Sequence, residues 1–449
     1  MVRLLKRAVV LGLAAALLLC FAAPCRAATF YAVSDFEKYT ESGAPFYWAR
    51  DDLKLVVAAE LMRGFPPEGP EEKAYVFDGT GEVACRTFGP FRPEATITRA
   101  EFATILARVL DLEGKDFGAS PFGDVKVQSW YGPNVVRLVE AGVIDPADYG
   151  SRFAPDGPIT RLEVAVWAAR AAVKAGAKAE PGEVRFADFD PASKHAGEVA
   201  EAVALGILKG YPDGTFRPQG TANRAEAAAM LVRMLKHAPL YPGLDREEAR
   251  RLMNETWALL TELQKSVRIR PQAYWANPKG NGGPHPDWPA ALAAFQSRAK
   301  GLLTEYHLWP RAHPAGFGAL NGLASRDEEG PRGDFASLEN GSFGLLDGAL
   351  QRWNQGPNGV PFGVPMWYRY GEITRVAELV GRGPVAEAAA YGKARIKYDD
   401  GADLPIFGGA ESESPVFRAV FVKQGGAWRV AAIWVDSRGP WLRRIGFAD

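Results

Sequence analysis

The sequence predicts two regions of different fold class: an all-α region of three repeated units, then an α+β region in which helices precede an antiparallel meander. Two observations support this division. Three 14-residue segments recur over residues 97–235, and their shared arginines are 62 and 63 residues apart. Near the C-terminus, alternating apolar residues flank Gly425-Gly426, which is the pattern of a β-hairpin.

The first 27 residues have the pattern of a secretory signal peptide. Basic residues precede an apolar run over residues 8–23, and small residues surround Ala27. The alternative is an uncleaved membrane anchor. A run of 16 residues is short for that role, because a bilayer requires roughly 20. We therefore predict a signal peptide over residues 1–27 and no transmembrane segment after its removal.

Removal of this segment changes both the charge and the cysteine content. Its four basic residues leave 49 basic against 53 acidic residues, a formal net charge of −4. Bulk charge therefore gives no reason to expect nucleic acid or an anionic membrane as a partner. Cys20 and Cys25 are removed as well, so Cys85 remains without an intrachain disulfide partner or a cysteine metal site.

Each repeated unit is predicted to contain two helices joined by a turn-rich connection. The first helix ends at a glycine (Gly64, Gly142 or Gly206), and the second follows a Phe-containing turn that ends in proline. The units span residues 29–115 (unit 1), 116–180 (unit 2) and 181–240 (unit 3). Unit 1 contains an insertion of about 17 residues between Gly64 and its second helix.

The second helix of each unit begins with the pattern of a capping box. The predicted N-caps are Thr98, Thr160 and Asn223, and a glutamate follows each of them by three positions, at 101, 163 and 226. In a capping box the cap side chain accepts from one free backbone N–H, and the glutamate accepts from the N–H of the cap. We therefore interpret these glutamates as structural.

An arginine directly follows each cap, and the helix itself does not explain it. These first arginines are Arg99, Arg161 and Arg224. A cation in the first turn opposes the positive end of the helix dipole, so helix stability does not require one. We expect each arginine to bind a partner, which is either an anionic ligand or a nearby carboxylate such as Asp124 or Asp188. The sequence leaves both alternatives open.

These residues carry a resemblance to a known family. The stretch "FADF…GILKGYPDGTFRPQGTANRAE" in unit 3 resembles the S-layer homology (SLH) domain nearly throughout. Unit 2, "FGDV…WY…AGVI…FAPDGPITRLE", lacks the Gly-Tyr turn and has Leu162 for an alanine, while unit 1 keeps "FRPEATITRAE". The resemblance covers residues 30–240, about half of the mature chain.

The resemblance implies a three-lobed helical bundle that anchors a secreted protein to the cell wall or S-layer. In this family, grooves between lobes bind secondary cell-wall polysaccharide that often carries pyruvate ketals. A pyruvyl carboxylate suits the planar fork of a guanidinium. The implied partner is a pyruvylated secondary cell-wall polysaccharide or a peptidoglycan-linked glycan. The candidate binding residues carried over by position are Arg99, Arg161, Arg224, Asp124, Asp188, Trp130, Gly210 and Tyr211.

Departures from the family pattern predict one or two competent grooves rather than three. Twelve positions before each predicted glycine stop, Trp130 corresponds to Lys194 in unit 3 and to Asp52 in unit 1. Trp48 lies only four residues before Asp52 and is a possible substitute. The Asp-Val start of unit 1 is degraded too, with Asp35 its nearest candidate.

The C-terminal region, residues 241–449, is predicted to be α+β. Apolar residues at helical spacing predict helices over 245–267 and 289–307, and a loop-rich stretch follows over roughly 308–360. Two strands are expected around Gly381–Gly383, followed by the hairpin at Gly425-Gly426. This order resembles the nuclear-transport-factor-like (SnoaL-like) cone.

The sequence gives no catalytic signature in this region. His285, His307 and His313 lie near Asp287 and Glu305, but their spacing matches no metal-binding or acid–base motif, and we predict neither a metal site nor a cofactor. The favoured function is therefore a wall-anchored protein whose C-terminal domain binds or assembles. The alternative is a wall-attached hydrolase of envelope or environmental polymers, with its chemistry in residues 241–449.

Overall fold

The computed structural model describes residues 35, 37–65, 73–75, 82–84, 90–180, 182–266, 294, 297–304, 367–398, 403–405, 411–412, 414–435 and 439–449. The predicted signal peptide, Cys85, the predicted loop-rich stretch and the three C-terminal histidines lie outside these residues. Within the described ranges, no helix combines the length and the apolar character that crossing a membrane requires.

The N-terminal region is built from short helices, two per unit as predicted, with additions in unit 1. In chain order the helices are α1 (Glu37–Thr40), α2 (Arg50–Ala58), α3 (Arg99–Val109), α4 (Gly132–Glu140), α5 (Arg161–Lys174), α6 (Ala196–Ala204) and α7 (Arg224–Leu235). The insertion of unit 1 contains the two strands β1 (Lys73–Tyr75) and β2 (Glu82–Ala84), which pair antiparallel. Helices α2, α4 and α6 are the first helices of units 1, 2 and 3, and α3, α5 and α7 are the second helices.

The predicted stop at Gly64 in unit 1 is wrong. Helix α2 already ends at Ala58, and the residue with left-handed backbone that follows it is Glu60, at φ 51°. In units 2 and 3 the predicted glycines hold this place, with φ 72° at Gly142 and 64° at Gly206. A left-handed residue other than glycine costs about 1–2 kcal/mol, which is why a glycine is the natural prediction. We call Glu60, Gly142 and Gly206 the stop residues.

The predicted capping boxes are confirmed in all three second helices. The cap side chain accepts from the backbone N–H three positions on, and the glutamate there accepts from the backbone N–H of the cap. Each cap is extended, with ψ between 158° and 168°, so the chain turns sharply into the helix.

The three units close into a ring around a triangle of backbone hydrogen bonds. The N–H of Ile97 donates to the carbonyl of Ala222 (3.2 Å), that of Ala222 to Ile159 (3.0 Å), and that of Ile159 to Ile97 (2.9 Å). All three residues are fully buried. A buried backbone group without a partner is costly, so each unit depends on the other two for this bond.

Side-chain packing follows the same cyclic order. The second helix of each unit packs against the first helix of the next: α3 against α4, α5 against α6, and α7 against α2. Trp167 of α5 illustrates the shared core, because its ring stacks on Phe102 of unit 1 (6.1 Å) and on Phe153 of its own unit (5.9 Å). We name the boundaries surface 1–2, surface 2–3 and surface 3–1 after the units that meet there.

The C-terminal region places one long helix against an antiparallel sheet. Its elements are α8 (Arg246–Ser266), β3 (Trp367–Arg382), β4 (Val385–Tyr398), β5 (Asp403–Pro405), β6 (Phe417–Gln424), β7 (Ala427–Val435) and α9 (Trp441–Arg444). The sheet order is β3-β4-β6-β7, with β5 paired to β4. The helix predicted over 245–267, the two strands around Gly381–Gly383 and the hairpin at Gly425-Gly426 are confirmed; the finer resemblance to a cone stays a prediction.

Helix α8 is fixed to the sheet at a bulge in β3. The side-chain amide of Asn254 donates to the carbonyl of Ile373 (2.9 Å) and accepts from its N–H (2.7 Å), next to the register shift between Ile373 and Arg375. One helical turn later, Trp257 meets Phe417 edge to face at 5.6 Å. The amide thus pairs backbone groups that the bulge leaves unpaired.

The two regions meet at the tips of both hairpins. Gly383, in the β3–β4 turn, donates to the carbonyl of Pro239 (3.1 Å) and accepts from the N–H of Tyr241 (2.9 Å). A Cβ on Gly383 would lie 2.8 Å from Leu235, and its φ of 54° also favours glycine. In the β6–β7 turn, the N–H of Gly426 donates to the carboxylate of Asp111 in unit 1 (3.0 Å).

Candidate binding surfaces between the units

An aspartate holds the Phe-containing turn of every unit. In units 2 and 3, Asp124 accepts from the N–H groups of Phe153 and Ala154 (2.9 and 2.8 Å), and Asp188 accepts from those of Phe216 and Arg217 (2.7 Å each). In unit 1, Asp35 makes the same two bonds to Phe91 (2.5 Å) and Arg92 (2.9 Å). The prediction that Asp35 replaces the degraded Asp-Val start of unit 1 is therefore confirmed.

These backbone bonds also set the ionisation of the aspartates. The N–H of Phe216 and that of Arg217 lower the pKa of Asp188. Partial burial raises the pKa of Asp124, but the N–H groups of Phe153 and Ala154 outweigh it, so the pKa is lowered overall. Both candidates are thus ionised and bound to the backbone of their own unit.

Two of the first arginines cross into the next unit and are buried there. Arg161 is 5% exposed and Arg224 is 4% exposed. The guanidinium of Arg161 donates to the carbonyl of Phe216 (3.0 Å) and pairs with Glu226 (3.0 Å), both in unit 3. That of Arg224 donates to the carbonyls of Phe91 (2.8 Å) and Arg63 (2.6 Å) in unit 1, which closes the ring.

Arg99 makes the corresponding contact from unit 1 to unit 2. Its guanidinium pairs with Glu163 (2.6 Å) and donates to the carbonyl of Ala154 (3.4 Å). Its side chain is 19% exposed, more than Arg161 or Arg224. Arg99 and Arg161 thus each pair with a carboxylate of the protein, which belongs to the capping box of the next unit rather than to Asp124 or Asp188.

Tyr211 belongs to the same contact. Its hydroxyl donates to Glu226 (2.6 Å), and its ring lies 4.4 Å from the guanidinium of Arg161. Unit 2 lacks a Gly-Tyr turn in its sequence, yet the hydroxyl of Tyr149 donates to Glu163 in the same manner (2.9 Å). The tyrosine is therefore present in unit 2 at a shifted position, which sequence comparison alone missed.

Gly210 keeps this turn compact. A Cβ on Gly210 would lie 2.6 Å from the ring of Phe186 and 3.0 Å from the carbonyl of Thr215. A side chain at this position would therefore require the ring of Phe186 to move, which explains the glycine.

Trp130 is a candidate residue that is open to solvent. Its side chain is 63% exposed and meets the ring of Tyr131 edge to face at 5.3 Å. Counting 12 positions back from the corrected stop at Glu60 gives Trp48, which is 54% exposed. Trp48, not Asp52, is therefore the counterpart of Trp130 in unit 1. In unit 3 the corresponding residue is Lys194, as predicted.

A second set of repeated arginines was missed from the sequence. Arg108, Arg170 and Arg233 each follow the first arginine of their unit by nine positions. Each donates to the carbonyl directly after the stop residue of its unit, at Leu61 (3.0 Å), Val143 (3.5 Å) and Ile207 (3.3 Å). The signal was available, because all three lie within the recurring 14-residue segments.

Surface 2–3 shows where these arginines face the next unit. Arg170 pairs with Asp148 of its own unit (3.1 Å) and with Glu198 of α6 (2.6 Å). Lys194 also pairs with Asp148 (3.0 Å), and His195 lies 3.5 Å from the same carboxylate. The positions 12 and 8 before the stop of the next unit therefore border the second arginine.

Surface 3–1 carries a different set of charges. Asp52 of α2 lies among Arg233, Lys236 and Lys209, which oppose a pKa rise caused by its burial. Burial prevails and raises the pKa of Asp52 to about 6. The carboxylate thus changes charge close to neutral pH, unlike Asp124 and Asp188.

The family comparison now identifies the repeats. The model of the S-layer homology domain matches residues 121–165 and 185–228, which lie in units 2 and 3. Residues 121–165 and 185–228 are S-layer homology domains. The matched segments contain Asp124 and Asp188, the stop glycines, the Phe-containing turns and the caps described above.

Three curated relatives align with this chain over 154 to 209 residues. A cellulosome-anchoring protein of Acetivibrio thermocellus is 35% identical over 181 residues, 38% of this chain and 40% of that protein. The S-layer protein sap of Bacillus anthracis is 31% identical over 154 residues, 34% of this chain and 18% of its own length. An amylopullulanase of Thermoanaerobacterium thermosulfurigenes is 29% identical over 209 residues, 46% of this chain and 10% of its own length.

The chain therefore spans less than half the length of each of these relatives. The shared domain places this SLH protein among secreted proteins of the cell surface. The amylopullulanase name describes a protein of which this chain covers one tenth.

Proposed function

We propose that the three units anchor this SLH protein non-covalently to the cell wall by binding secondary cell-wall polysaccharide, pyruvylated or linked to peptidoglycan. The observation that carries the proposal is Trp130, a solvent-exposed tryptophan of unit 2 that corresponds in position to Lys194 on surface 2–3. An exposed indole offers an apolar face on which a sugar ring can stack. Trp48 offers the same face in unit 1.

The proposal includes unit 1 as a third SLH repeat. Three observations support this assignment: the double backbone bond of Asp35, the left-handed stop at Glu60, and the capping box of α3. Each repeats a feature of units 2 and 3, although the family model matches only the latter.

The candidate residues then divide into two roles. Trp130 contacts the glycan, and Arg99, the most exposed first arginine, contacts its carboxylate at the rim. The other candidates position the walls of the surfaces through the contacts described above; they are Arg161, Arg224, Asp124, Asp188, Gly210 and Tyr211.

Sedimentation with sacculi from an SLH-bearing bacterium tests this function. The full chain should pellet with sacculi and should remain in solution after the secondary polymer has been removed from them. Trp130→Ala should weaken binding by about 1–3 kcal/mol, the scale of a lost aromatic–sugar stack at a partly exposed site. Phe117→Ala is the matched control, because Phe117 is an exposed aromatic of the same unit. Equal binding of both variants and the parent would refute the role of Trp130.

For the C-terminal region we propose a binding or assembly role. The alternative, a wall-attached hydrolase, gains support from relatives named amylopullulanase and endoglucanase, of which this chain covers 10% and 19%. Incubating the full chain with starch, cellulose and sacculi separates the two. Release of reducing sugar or muropeptides would establish the hydrolase.

A further inference from the structure

The three surfaces repeat in backbone but differ in charge. The three surfaces differ most in the residue eight positions before the stop residue. This residue is Asn134 at surface 1–2, Glu198 at surface 2–3 and Asp52 at surface 3–1. The ion pairs of surface 2–3 show that this position faces the second arginine of the preceding unit. The three surfaces therefore present a neutral amide, a paired carboxylate and a carboxylate with a pKa near neutrality.

Surface 2–3 is neutralised from within the protein. Glu198 and Asp148 engage Arg170 and Lys194 at distances of 2.6 to 3.1 Å. The position that carries an exposed tryptophan elsewhere is here Lys194, and its ammonium is committed to Asp148. An acidic saccharide would have to break these pairs and would find no indole at that position on which to stack.

Surface 1–2 has a neutral residue at this position. Asn134 is buried and accepts from the guanidinium of Arg137 (3.1 Å), so no carboxylate stands there. Arg108 of α3 corresponds in position to Arg170 and lies 3.6 Å from Glu113 of its own unit. The exposed ring of Trp130 lies four residues before Asn134.

Surface 3–1 combines an exposed indole with an excess of cations. Trp48 lies four residues before Asp52, and three cations (Lys209, Arg233 and Lys236) surround this carboxylate. The other charged group that acts on it is Asp51, its neighbour on α2. Arg50 lies 3.8 Å from the carboxylate of Asp51 and offsets its charge, so protonation of Asp52 raises the positive charge of the surface by one.

We propose that the residue eight positions before each stop selects which surface takes an acidic saccharide: Asn134 admits it, Glu198 excludes it, and Asp52 admits it when protonated. This inference rests on the proposed wall-binding function. Since burial raises the pKa of Asp52 to about 6, its negative charge is present at pH 7.5 and largely absent at pH 5. Surface 3–1 therefore attracts a ligand carboxylate less strongly at the higher pH than at the lower one.

Titration calorimetry of the full chain tests the selection with a pyruvylated N-acetylhexosamine saccharide and its unpyruvylated form as probes. The parent should bind the pyruvylated probe about three- to tenfold more tightly at surface 3–1 at pH 5 than at pH 7.5, the scale of one nearby charge. Asp52→Asn should bind tightly at both pH values, and Trp48→Ala should remove the pH-dependent component. Asp116→Asn, an exposed aspartate elsewhere in the N-terminal region, is the matched control and should keep the parental profile.

A variant that adds a carboxylate, where Asp52→Asn removes one, tests the selection at surface 1–2. Asn134→Asp should weaken binding at surface 1–2, while the unpyruvylated probe should show no pH response with any variant. If the parent binds sacculi but Asp52→Asn keeps the parental pH profile, the selection is refuted and anchoring stands. If the chain binds no sacculi at all, anchoring fails and the inference fails with it.

Discussion

The helical ring and the C-terminal sheet both bury charged side chains, but the ring buries arginines that are hydrogen-bonded across unit boundaries, whereas the sheet buries a carboxylate whose pKa is raised. In the ring, Arg161 and Arg224 are 4–5% exposed, and each joins one unit to the next through bonds to carbonyl or carboxylate oxygens. In the sheet, Glu387 of β4 is 1% exposed, and one of its oxygens accepts from the N–H of Leu442 (2.8 Å). Burial raises the pKa of Glu387 to about 7.

The comparison shows that burial alone does not decide the effect of a charge on stability. A buried cation whose N–H groups are bonded across a boundary makes two units depend on each other. A buried carboxylate with fewer bonds loses more solvation than it recovers, so its neutral form is favoured near pH 7. The following predictions, from the largest expected effect to the smallest, test this contrast.

Breaking the ring at Arg224 should have the largest effect. Arg224→Ala leaves the carbonyls of Phe91 and Arg63 without this donor in a buried boundary, and we expect the free energy of unfolding to fall by about 2–5 kcal/mol. Arg99→Ala, at the more exposed contact, should cost less. Chemical denaturation of the full chain measures both. Equal small losses would show that the closing contact is not what holds units 3 and 1 together.

Neutralising Glu387 should stabilise the sheet region at high pH. Because its pKa is raised from 4.5 to about 7 on folding, the folded state favours the proton, and stability is lost as the pH rises from about 4.5 through 7. Glu387→Gln should therefore raise the free energy of unfolding by about 2–3 kcal/mol at pH 8 and have little effect at pH 4. Glu372→Gln, an exposed residue of β3, is the control. The same gain at both pH values would contradict the argument.

Replacing the capping glutamates Glu101 and Glu226 should give the smallest difference in stability. Glu101 accepts from the N–H of its cap, whereas Glu226 also receives the guanidinium of Arg161 and the hydroxyl of Tyr211. Glu101→Ala should cost about 1 kcal/mol, the usual value of a cap, and Glu226→Ala about 2 kcal/mol or more. Thermal unfolding of the two variants measures the difference. A larger loss for Glu101→Ala would mean that contacts between units add nothing to the cap.

Much of the fold follows from short stretches of sequence. The capping boxes, the helix over 245–267 and the hairpin at Gly425-Gly426 were all predicted, because each depends on residues within a few positions of one another. Glu60 could not be predicted in this way. The local sequence favours Gly64, because glycine adopts the left-handed region without a steric cost, and only the tertiary structure shows that Glu60 adopts it instead.

The candidate site was predicted in part. The candidate residues were carried over from the family resemblance, and their binding role stays a prediction; Trp130 is exposed to solvent. The partners of the arginines were not found, because the chain order does not reveal that the Arg161 contact spans 65 residues, to Glu226, and that the Arg224 contact spans 161, to Arg63. Tyr149 was missed for the same reason, since its hydroxyl reaches Glu163 from a loop of different length.

By itself the sequence determined that three similar units precede an α+β region, how each second helix begins, and which side chains recur. The tertiary structure alone decided the cyclic order in which the arginines cross, the correspondence in position between Trp48 and Trp130, and the pKa shifts of Asp52 and Glu387. The physical reason is one of range. Caps and turns are set by hydrogen bonds between near neighbours, whereas desolvation and contacts between units exist only after distant segments have closed around a shared core.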